Sequence, residues 1–344
     1  MKALVTGASG FLGGALVRRL VRDGEYEVAI LVRPTSRLRD IAEVLDRVEV
    51  ITGDLGDTAS LERAVAGVDI VFHSAARVDE RGSREQFWAE NVTATARLLS
   101  AARAQGARRF VFVSSPSALM DRDGGDQVDI DESAPYPTRY LNHYCETKAA
   151  AERLVVNADT ADFTTCALRP RAIWGAGDRS GPIVRLLSRA AAGSLPDLSC
   201  GREVYASLCH VENIVEACVK AAVAENVGGK AYFIADAGQT NVWRFLGQVA
   251  EDLGYRRPTR RLPPRLVWLL VELIENLRRV PYLAARWSPP LSRYSVAVLT
   301  RTGTYDIGAA RRDLEYRPVV DRDTGMAELK IWLRGGAVIS ETSR

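Results

Sequence analysis

The sequence predicts an α/β protein with a doubly wound parallel sheet and a smaller, mostly C-terminal lobe. Short apolar runs of strand length alternate with amphipathic stretches of helix length, which is the pattern of parallel strands joined by crossover helices. A glycine-rich turn joins the first strand to the first helix. At 344 residues the chain is also long for one compact domain, so we expect an appended lobe.

The first strand, turn and helix together predict a phosphate-binding site. The run "KALVTG" ends in Gly7, and "FLGGALVRRLVRDG" has apolar residues at helical spacing with Gly24 as its C-terminal cap. Gly7 permits the tight turn, Gly10 lets a phosphate approach the backbone, and Gly13 lets helix and strand pack closely. Backbone N–H groups and the helix dipole then face a pyrophosphate.

The second strand, "EVAILVR" (27–33), is expected to end beside the adenosine ribose of a dinucleotide. An NAD-binding site usually places a carboxylate there to accept from the ribose hydroxyls. The chain instead has Arg33 and Arg37, two guanidinium groups that could pair with a 2′-phosphate. The sequence therefore favours NADP(H) over NAD(H); the alternative is that both arginines are solvated surface charges.

Strands and helices continue to alternate beyond the second strand. We predict strands at 48–52, 69–76 and 109–115, and helices at 58–67 and 84–105. Thr58 is the expected N-cap of the first of these helices, and Gly67 its end. A sheet of this kind binds its ligands at the carboxyl ends of the strands, so we expect the functional residues at that edge.

The glycine spacing TGxxGxxG in this setting resembles the short-chain dehydrogenase/reductase superfamily, and the length resembles its extended branch. The resemblance implies a Rossmann-type nucleotide domain over 1–170 with a return segment near 203–237, a substrate lobe over 171–202 and 238–335, and a tail over 336–344. The cofactor-binding residues that it implies are Gly7, Ser9, Gly10, Phe11, Leu12, Asp54, Leu55, Ser74, Ala75, Ala76, Lys148 and Pro170. It also implies that Asn91 orders the active-site helix, whereas His73 is expected to be a packed strand residue.

A tyrosine and a lysine, Tyr144 and Lys148, stand four residues apart in "YCETK". A helix predicted from Arg139 to Asn157 places them one turn apart on the same face. Any helix can hold such a pair, so the spacing alone is weak evidence. The resemblance implies that these two residues and a nearby serine form a catalytic triad.

The serine of that triad is expected at the end of the strand that precedes the helix, in "SSPS" (114–117). The register of the strand favours Ser115, and Ser114 and Ser117 remain alternatives. A free tyrosine has a pKa of about 10, which is too high for ready proton exchange, and an ammonium one turn away favours the phenolate. The resemblance implies that Tyr144 transfers the proton, that Lys148 also binds the nicotinamide ribose, and that the serine holds the substrate oxygen.

Three segments are similar to the 3β-hydroxysteroid dehydrogenase/isomerase family, which includes bacterial β-keto-acid reductases: "SSPSA", "VENIV" and "YDIGAARRDLEYRP". Two departures argue against sugar-nucleotide substrates. Ala206 stands where the epimerases place a phosphate-binding arginine, and Pro116-Ser117 stands where the dehydratases carry Asp-Glu. We therefore expect an NADPH-dependent reductase or dehydrogenase that interconverts a ketone and a secondary alcohol on an apolar substrate, either a β-keto acyl compound or a steroid. The alternatives are an epimerase acting through transient oxidation and a non-catalytic cofactor-binding scaffold.

The segment 255–301 carries ten arginines against two glutamates, Glu272 and Glu275. The arginines flank a predicted apolar helix around "LVWLLVELI" (266–274). One interpretation is a lid over the substrate cleft with solvated arginines; the other is a peripheral surface for a membrane or a carrier protein. The resemblance also implies a homodimer formed through the helices near 84–105 and 139–157.

Composition and charge indicate which classes to set aside. A net charge of +3 does not favour nucleic-acid binding, and no zinc-ligand spacing is present, so we expect neither nucleic acid nor metal. Five cysteines without paired spacing indicate reduced thiols and a cytoplasmic protein. "MKALVTG" begins a strand, which predicts that there is no signal peptide. The run 266–274 is far shorter than the roughly 20 residues that span a bilayer.

Overall fold

The computed structural model describes residues 1–78, 82–179, 181–199, 201–259, 262–277 and 292–335. Cys200, the arginines at 260, 261, 278, 279 and 286, and the predicted tail 336–344 lie outside these ranges. The strands are β1 (Lys2–Thr6), β2 (Glu27–Val32), β3 (Val48–Thr52), β4 (Ile70–His73), β5 (Arg109–Val113), β6 (Gln127–Ile130), β7 (Thr164–Pro170), β8 (Ile173–Trp174), β9 (Tyr205–Ala206), β10 (Cys209–His210), β11 (Lys230–Ile234), β12 (Thr240–Asn241) and β13 (Gly303–Tyr305).

The α-helices surround these strands. They are α1 (Phe11–Asp23), α2 (Thr58–Val65), α3 (Arg84–Phe87), α4 (Ala94–Ala104), α5 (His143–Asn157), α6 (Pro182–Ala191), α7 (Val211–Val223), α8 (Val242–Asp252), α9 (Pro264–Leu277), α10 (Arg293–Thr300), α11 (Gly308–Asp313) and α12 (Arg322–Arg334). A π-helical turn, Trp88–Thr93, joins α3 to α4, and 3₁₀ segments occupy Arg39–Arg47 and Pro116–Leu119.

A seven-stranded parallel sheet forms the centre, in the order β11-β7-β5-β4-β1-β2-β3. Going outward from β1, the chain runs through β2 and β3 on one side and through β4, β5 and β7 on the other, as in doubly wound nucleotide-binding sheets. The predicted fold class is therefore confirmed. The carboxyl ends of all seven strands lie along one edge, because the strands are parallel.

Alternating side chains of the strands fill one core on each face of the sheet. Leu4 packs on one face with Phe110 and Val155, while Val5 packs on the other with Leu16 and Ile214. Successive strand residues point to opposite faces, so a strand buried on both sides is apolar throughout. This explains why "KALVTG" and "RFVFV" show continuous apolar runs and not an alternation of apolar and polar residues.

The start of α2 differs from the prediction. Thr58 is not the N-cap; Asp57 occupies that position, and its side chain accepts from the Ser60 N–H. The Asp57 carboxylate, one residue earlier, accepts from a free N–H group in the first turn of the helix, and its negative charge interacts favourably with the helix dipole. The prediction for α1 is confirmed, since Gly24 ends that helix in the left-handed conformation at φ 74°.

The helix that carries Tyr144 begins later than predicted, at His143 and not at Arg139. Asn142 has an extended backbone, and its side chain accepts from the Cys145 N–H, so it is the N-cap. Strand β4 is likewise shorter than the predicted 69–76 and ends at His73. The three residues after it form a loop along the sheet edge.

The second part of the molecule packs around Trp174, which is buried among α6, α8 and α12. Val267 and Val271 of α9 pack against Val296 and Leu299 of α10. Its opposite side exposes Leu266, Leu269, Leu270 and Leu273. Both interpretations of the segment 255–301 stay predictions, as does the homodimer. Within the described ranges, no helix is both long and apolar enough to cross a membrane.

Candidate active site

A cleft of about 1700 Å³ follows the carboxyl edge of the sheet. Every predicted cofactor or catalytic residue except Arg37 lines it. These residues are Gly7, Ser9, Gly10, Phe11, Leu12, Arg33, Asp54, Leu55, Ser74, Ala75, Ala76, Ser115, Tyr144, Lys148 and Pro170. They come from six strand ends and two helices that are distant in sequence, and the parallel sheet brings them to one edge.

The turn between β1 and α1 fits a pyrophosphate. Gly10 is the N-cap of α1, no side chain caps that helix, and its first turn has no acidic residue. The N–H groups at this positive helix end therefore face the cleft, where a phosphate would find both donors and a favourable dipole. A Cβ on Gly7 would lie 2.8 Å from the Ala75 backbone nitrogen, and one on Gly13 would lie 2.1 Å from the Gly7 carbonyl oxygen. Both positions therefore require glycine.

The end of the cleft where the sequence predicts the adenosine, here called the adenosine end, is formed by the loops after β2 and β3. Arg33 lines the rim and is exposed, and its N–H donates to Ser36 Oγ (3.1 Å). The Ser36 N–H donates back to the Arg33 carbonyl (2.9 Å). This turn carries the chain away from the cleft, so Arg37 is exposed outside the lining and the two arginines are not brought together there. Asp54 lines the same end and accepts from the Gly56 N–H.

Tyr144 lies at the other end, at the start of α5. Burial raises its pKa to about 12, although a hydrogen bond with the Ser115 side chain acts in the opposite direction. The expected phenolate is therefore not favoured by the protein alone, and Tyr144 keeps its proton. A neutral tyrosine is the form that a proton donor needs.

Lys148 is buried one turn further along α5. Its Nζ donates to the Val113 carbonyl at the end of β5 (2.7 Å) and lies 4.5 Å from the centroid of the Phe112 ring. Burial lowers its pKa to about 8, while the charge of Glu152 acts to raise it. This hydrogen bond links α5 to the end of β5, directly before the candidate serines at 114–117.

The three candidate serines are in different surroundings. The Ser115 side chain hydrogen-bonds Tyr144, and its Oγ also accepts from the Ser117 N–H (3.2 Å). Ser117 Oγ lies 2.9 Å from the hydroxyl of Tyr294 in α10. Ser114 Oγ is buried and has no hydrogen-bond partner within the described part of the chain. The contact with Tyr144 makes Ser115 the serine that can share a substrate oxygen with the tyrosine.

Asn91 connects the catalytic helix to the loop after β4. Its Oδ1 accepts from the Arg77 N–H (2.7 Å), and its Nδ2 donates to Thr147 Oγ1 on α5 (3.1 Å). His73 is a packed residue, as predicted: it is fully buried between the hydroxyls of Thr6 (2.7 Å) and Thr95 (2.9 Å). Burial, with a smaller contribution from the Lys148 charge, lowers its pKa to about 3, so it stays neutral.

Tyr294 is the residue near the catalytic centre that sequence reasoning missed. Its ring meets that of Tyr144 edge-on, with centroids 6.0 Å apart. No motif marks it, because it lies in the arginine-rich segment far from Tyr144 in sequence. Only long-range packing of α10 against the nucleotide domain reveals its position.

Comparison with protein families gives one match that spans most of the chain. The family described as 3-beta hydroxysteroid dehydrogenase/isomerase matches residues 4–264. The chain is 34% identical to a 2-alkyl-3-oxoalkanoate reductase of Stenotrophomonas maltophilia, covering 96% of this chain and 98% of the relative. It is 32% identical to the protein of the same name in Shewanella oneidensis, covering 95% and 85%. A 3 beta-hydroxysteroid dehydrogenase/Delta 5→4-isomerase of Mycobacterium tuberculosis is also 32% identical, with 95% and 89% covered.

Solved structures agree with the fold. The crystal structure of gox2253 superposes with a TM-score of 0.78 at 26% identity, covering 97% of this chain and 98% of that one. A UDP-glucose 4-epimerase of Thermotoga maritima superposes with a TM-score of 0.76 at 18% identity, covering 98% and 99%. At that identity the likeness shows the fold alone.

Proposed function

The chain belongs to the 3-beta hydroxysteroid dehydrogenase/isomerase family and is an NAD(P)-dependent oxidoreductase of the extended short-chain type, and we propose that it is an NADPH-dependent ketoreductase that acts on 3-oxo acyl substrates. One observation carries the proposal: a neutral tyrosine, bonded to a serine, faces the same cleft as an uncapped helix end that fits a dinucleotide. Proton donor and hydride source would then meet at one carbonyl group.

Each catalytic side chain has a distinct task in the proposed reduction. Ser115 and Tyr144 hydrogen-bond the keto oxygen, which orients the carbonyl group and stabilises the negative charge that develops on it. Tyr144 then gives its proton to that oxygen. Lys148, fixed by the Val113 carbonyl, would supply a positive charge one helical turn from the phenolate that remains. The bound nicotinamide supplies the hydride.

The walls of the cleft favour an apolar substrate. Met120, Val184, Leu186, Val298 and Leu299 line it beyond the catalytic residues. Two of the relatives are named for 3-oxo acids with alkyl branches, and such chains suit these walls. The epimerase alternative is less well supported, since Ala206 in β9 is buried and offers no cation for a nucleotide phosphate.

The NADP(H) preference remains part of the proposal. Arg33 at the rim supports it, because the end of β2 has no carboxylate beside it to repel a 2′-phosphate. Two of the similar solved structures are complexes with NAD. The choice between NADP(H) and NAD(H) is therefore to be decided by measuring the affinity for both cofactors.

The test is turnover of a substrate panel followed by NADPH absorbance, with 3-oxo acids and steroid ketones side by side. Wild type should oxidise NADPH with 3-oxo acids, and Tyr144→Phe should slow that turnover by about 10²–10⁴-fold, because the variant lacks the proton donor. Cofactor binding should change little, since the phenyl ring is retained. A Phe variant with a near-normal rate would refute the mechanism, and a wild type inactive on every ketone would refute the proposed activity.

A further inference from the structure

Two hydroxyl groups meet in the wall of the cleft beside the catalytic residues. Ser117 Oγ and the Tyr294 hydroxyl are 2.9 Å apart, and both residues line the cleft. Ser117 is buried, with 5% of its surface exposed. The reduction proposed above uses neither hydroxyl, so the pair can recognise another part of the substrate.

This pair is next to the site of the keto oxygen. The Ser117 N–H donates to Ser115 Oγ (3.2 Å), and Ser115 in turn is bonded to Tyr144. The Tyr294 ring also packs edge-on against the Tyr144 ring, with centroids 6.0 Å apart. In a 3-oxo acid a single carbon separates the keto carbon from the carboxyl carbon. A keto group held by Ser115 and Tyr144 therefore brings its own carboxylate to within reach of Ser117.

The hydrogen-bond chemistry of the pair suits an anion. A phenol is a stronger acid than an alcohol, so Tyr294 is the better donor of the two hydroxyls, and when Tyr294 donates, Ser117 keeps its own hydrogen. That hydrogen can be donated to a carboxylate in a charge-assisted bond, which is stronger than a bond between neutral groups. Tyr294 would then fix the orientation of the serine hydroxyl without contacting the substrate itself.

The charges nearby also suit an anion. Lys148 and Arg171 line the cleft, and Arg171 donates to the carbonyl of Val298 (3.3 Å), one turn after Tyr294 in α10. Of the described groups that affect the pKa of Tyr144, none is a carboxylate. The two positive charges in the lining therefore favour an anion in this part of the cleft over a neutral group.

We propose that Ser117, oriented by Tyr294, binds the carboxylate of a 3-oxo acid; this rests on the proposed function and names the free acid as the substrate class.

The experiment compares two substrates that differ only in the carboxylate: 3-oxododecanoate and 2-undecanone. For each variant, kcat/KM is measured with NADPH and expressed as the ratio of acid to ketone. Ser117→Ala should lower this ratio by about tenfold or more, since a hydrogen bond to a charged group is lost. Ser117→Thr keeps the hydroxyl and should restore most of the ratio. Tyr294→Phe should lower the ratio less, because the serine remains but is no longer oriented.

A matched control is available in the same cleft. Ser188 lines it, but its hydroxyl donates to the Val184 carbonyl within α6, so Ser188→Ala should keep the wild-type ratio. The proposal is overturned if Ser117→Ala keeps the wild-type ratio of acid to ketone, even when both activities fall. It is also overturned if wild type reduces steroid ketones but no 3-oxo acid. A wild type that reduces nothing would overturn the proposed function itself.

Discussion

Arg33 lies where the adenosine end of the cleft meets solvent. Its backbone is held in a tight turn with Ser36, while its side chain is exposed at the rim. Arg37, four residues later, is also exposed but does not line the cleft. The two arginines are therefore a natural pair of variants, because one can reach a 2′-phosphate and the other serves as a control.

Arg33→Ala should weaken NADPH binding by about 10- to 150-fold, which corresponds to the loss of a charge-assisted hydrogen bond of about 1.5–3 kcal/mol. NADH lacks the 2′-phosphate and should bind almost as before, as should both cofactors in Arg37→Ala. The wild-type preference should also shrink as salt rises, because an exposed charge pair is screened. Affinities of both cofactors in the three proteins decide the matter; a wild type that prefers NADH would contradict the assignment.

Helix α5 carries both Tyr144 and Lys148, and a buried ion pair fixes its middle. The two guanidinium N–H groups of Arg169 in β7 donate to Glu152 Oε1 (2.8 Å) and Oε2 (2.9 Å). The Tyr136 hydroxyl donates to the same carboxylate (2.6 Å). Both charged side chains are almost fully buried, at 0% exposed for Glu152 and 3% for Arg169. The helix is thereby held in one position against the sheet.

Glu152→Ala should lower the free energy of unfolding by about 3–5 kcal/mol, because the Arg169 guanidinium is left buried without its counter-charge. Replacing both partners by apolar residues, as in Glu152→Leu with Arg169→Met, should recover much of that loss. Urea unfolding gives both values. Glu146 on the same helix is the control: its pair with Arg84 is half-exposed, so Glu146→Ala should cost at most about 1 kcal/mol. Equal losses in the two single variants would show that burial of the pair does not matter.

Two buried histidines link the stability of the whole molecule to pH. His73 lies within the central sheet, and burial lowers its pKa to about 3. His210 is the N-cap of α7 and packs edge-on against Trp174 in β8. Burial lowers its pKa to about 4. Both must stay neutral in the folded protein, whereas in the unfolded chain they take up a proton at about pH 6.5.

Since the unfolded state binds more protons below pH 6.5, acid favours unfolding. Each histidine should reduce the free energy of unfolding by about 2 kcal/mol between pH 7 and pH 5, and the loss should continue down to the folded pKa values. Urea unfolding at pH 7, 6 and 5 measures this slope. Histidine NMR signals that all titrate near pH 6.5 in the folded protein would contradict the prediction.

The sequence alone determined the parallel sheet, the glycine turn and fifteen of the residues that line the cleft. These features are local: a strand buried on both faces is a continuous apolar run, and a turn against a phosphate needs glycines at given positions. The spacing of Tyr144 and Lys148 likewise follows from the helical repeat. Helix starts were less predictable, since Asp57 and Asn142 took capping positions that neighbouring residues could also have filled.

Only the tertiary structure decided what each side chain near Tyr144 contacts. Ser114, Ser115 and Ser117 have the same side-chain chemistry, so the sequence alone does not distinguish them. In the structure, the Ser114 hydroxyl has no partner among the described residues, Ser115 hydrogen-bonds Tyr144, and Ser117 hydrogen-bonds Tyr294. Packing also made Tyr144 a neutral acid, because burial raises its pKa by more than the hydrogen bond with Ser115 lowers it. The same holds for Arg33 and Arg37, which one turn of the chain separates into a cleft residue and a surface residue. Contacts between distant segments and the loss of water around them have no local sequence signal, so they emerge only when the chain is folded.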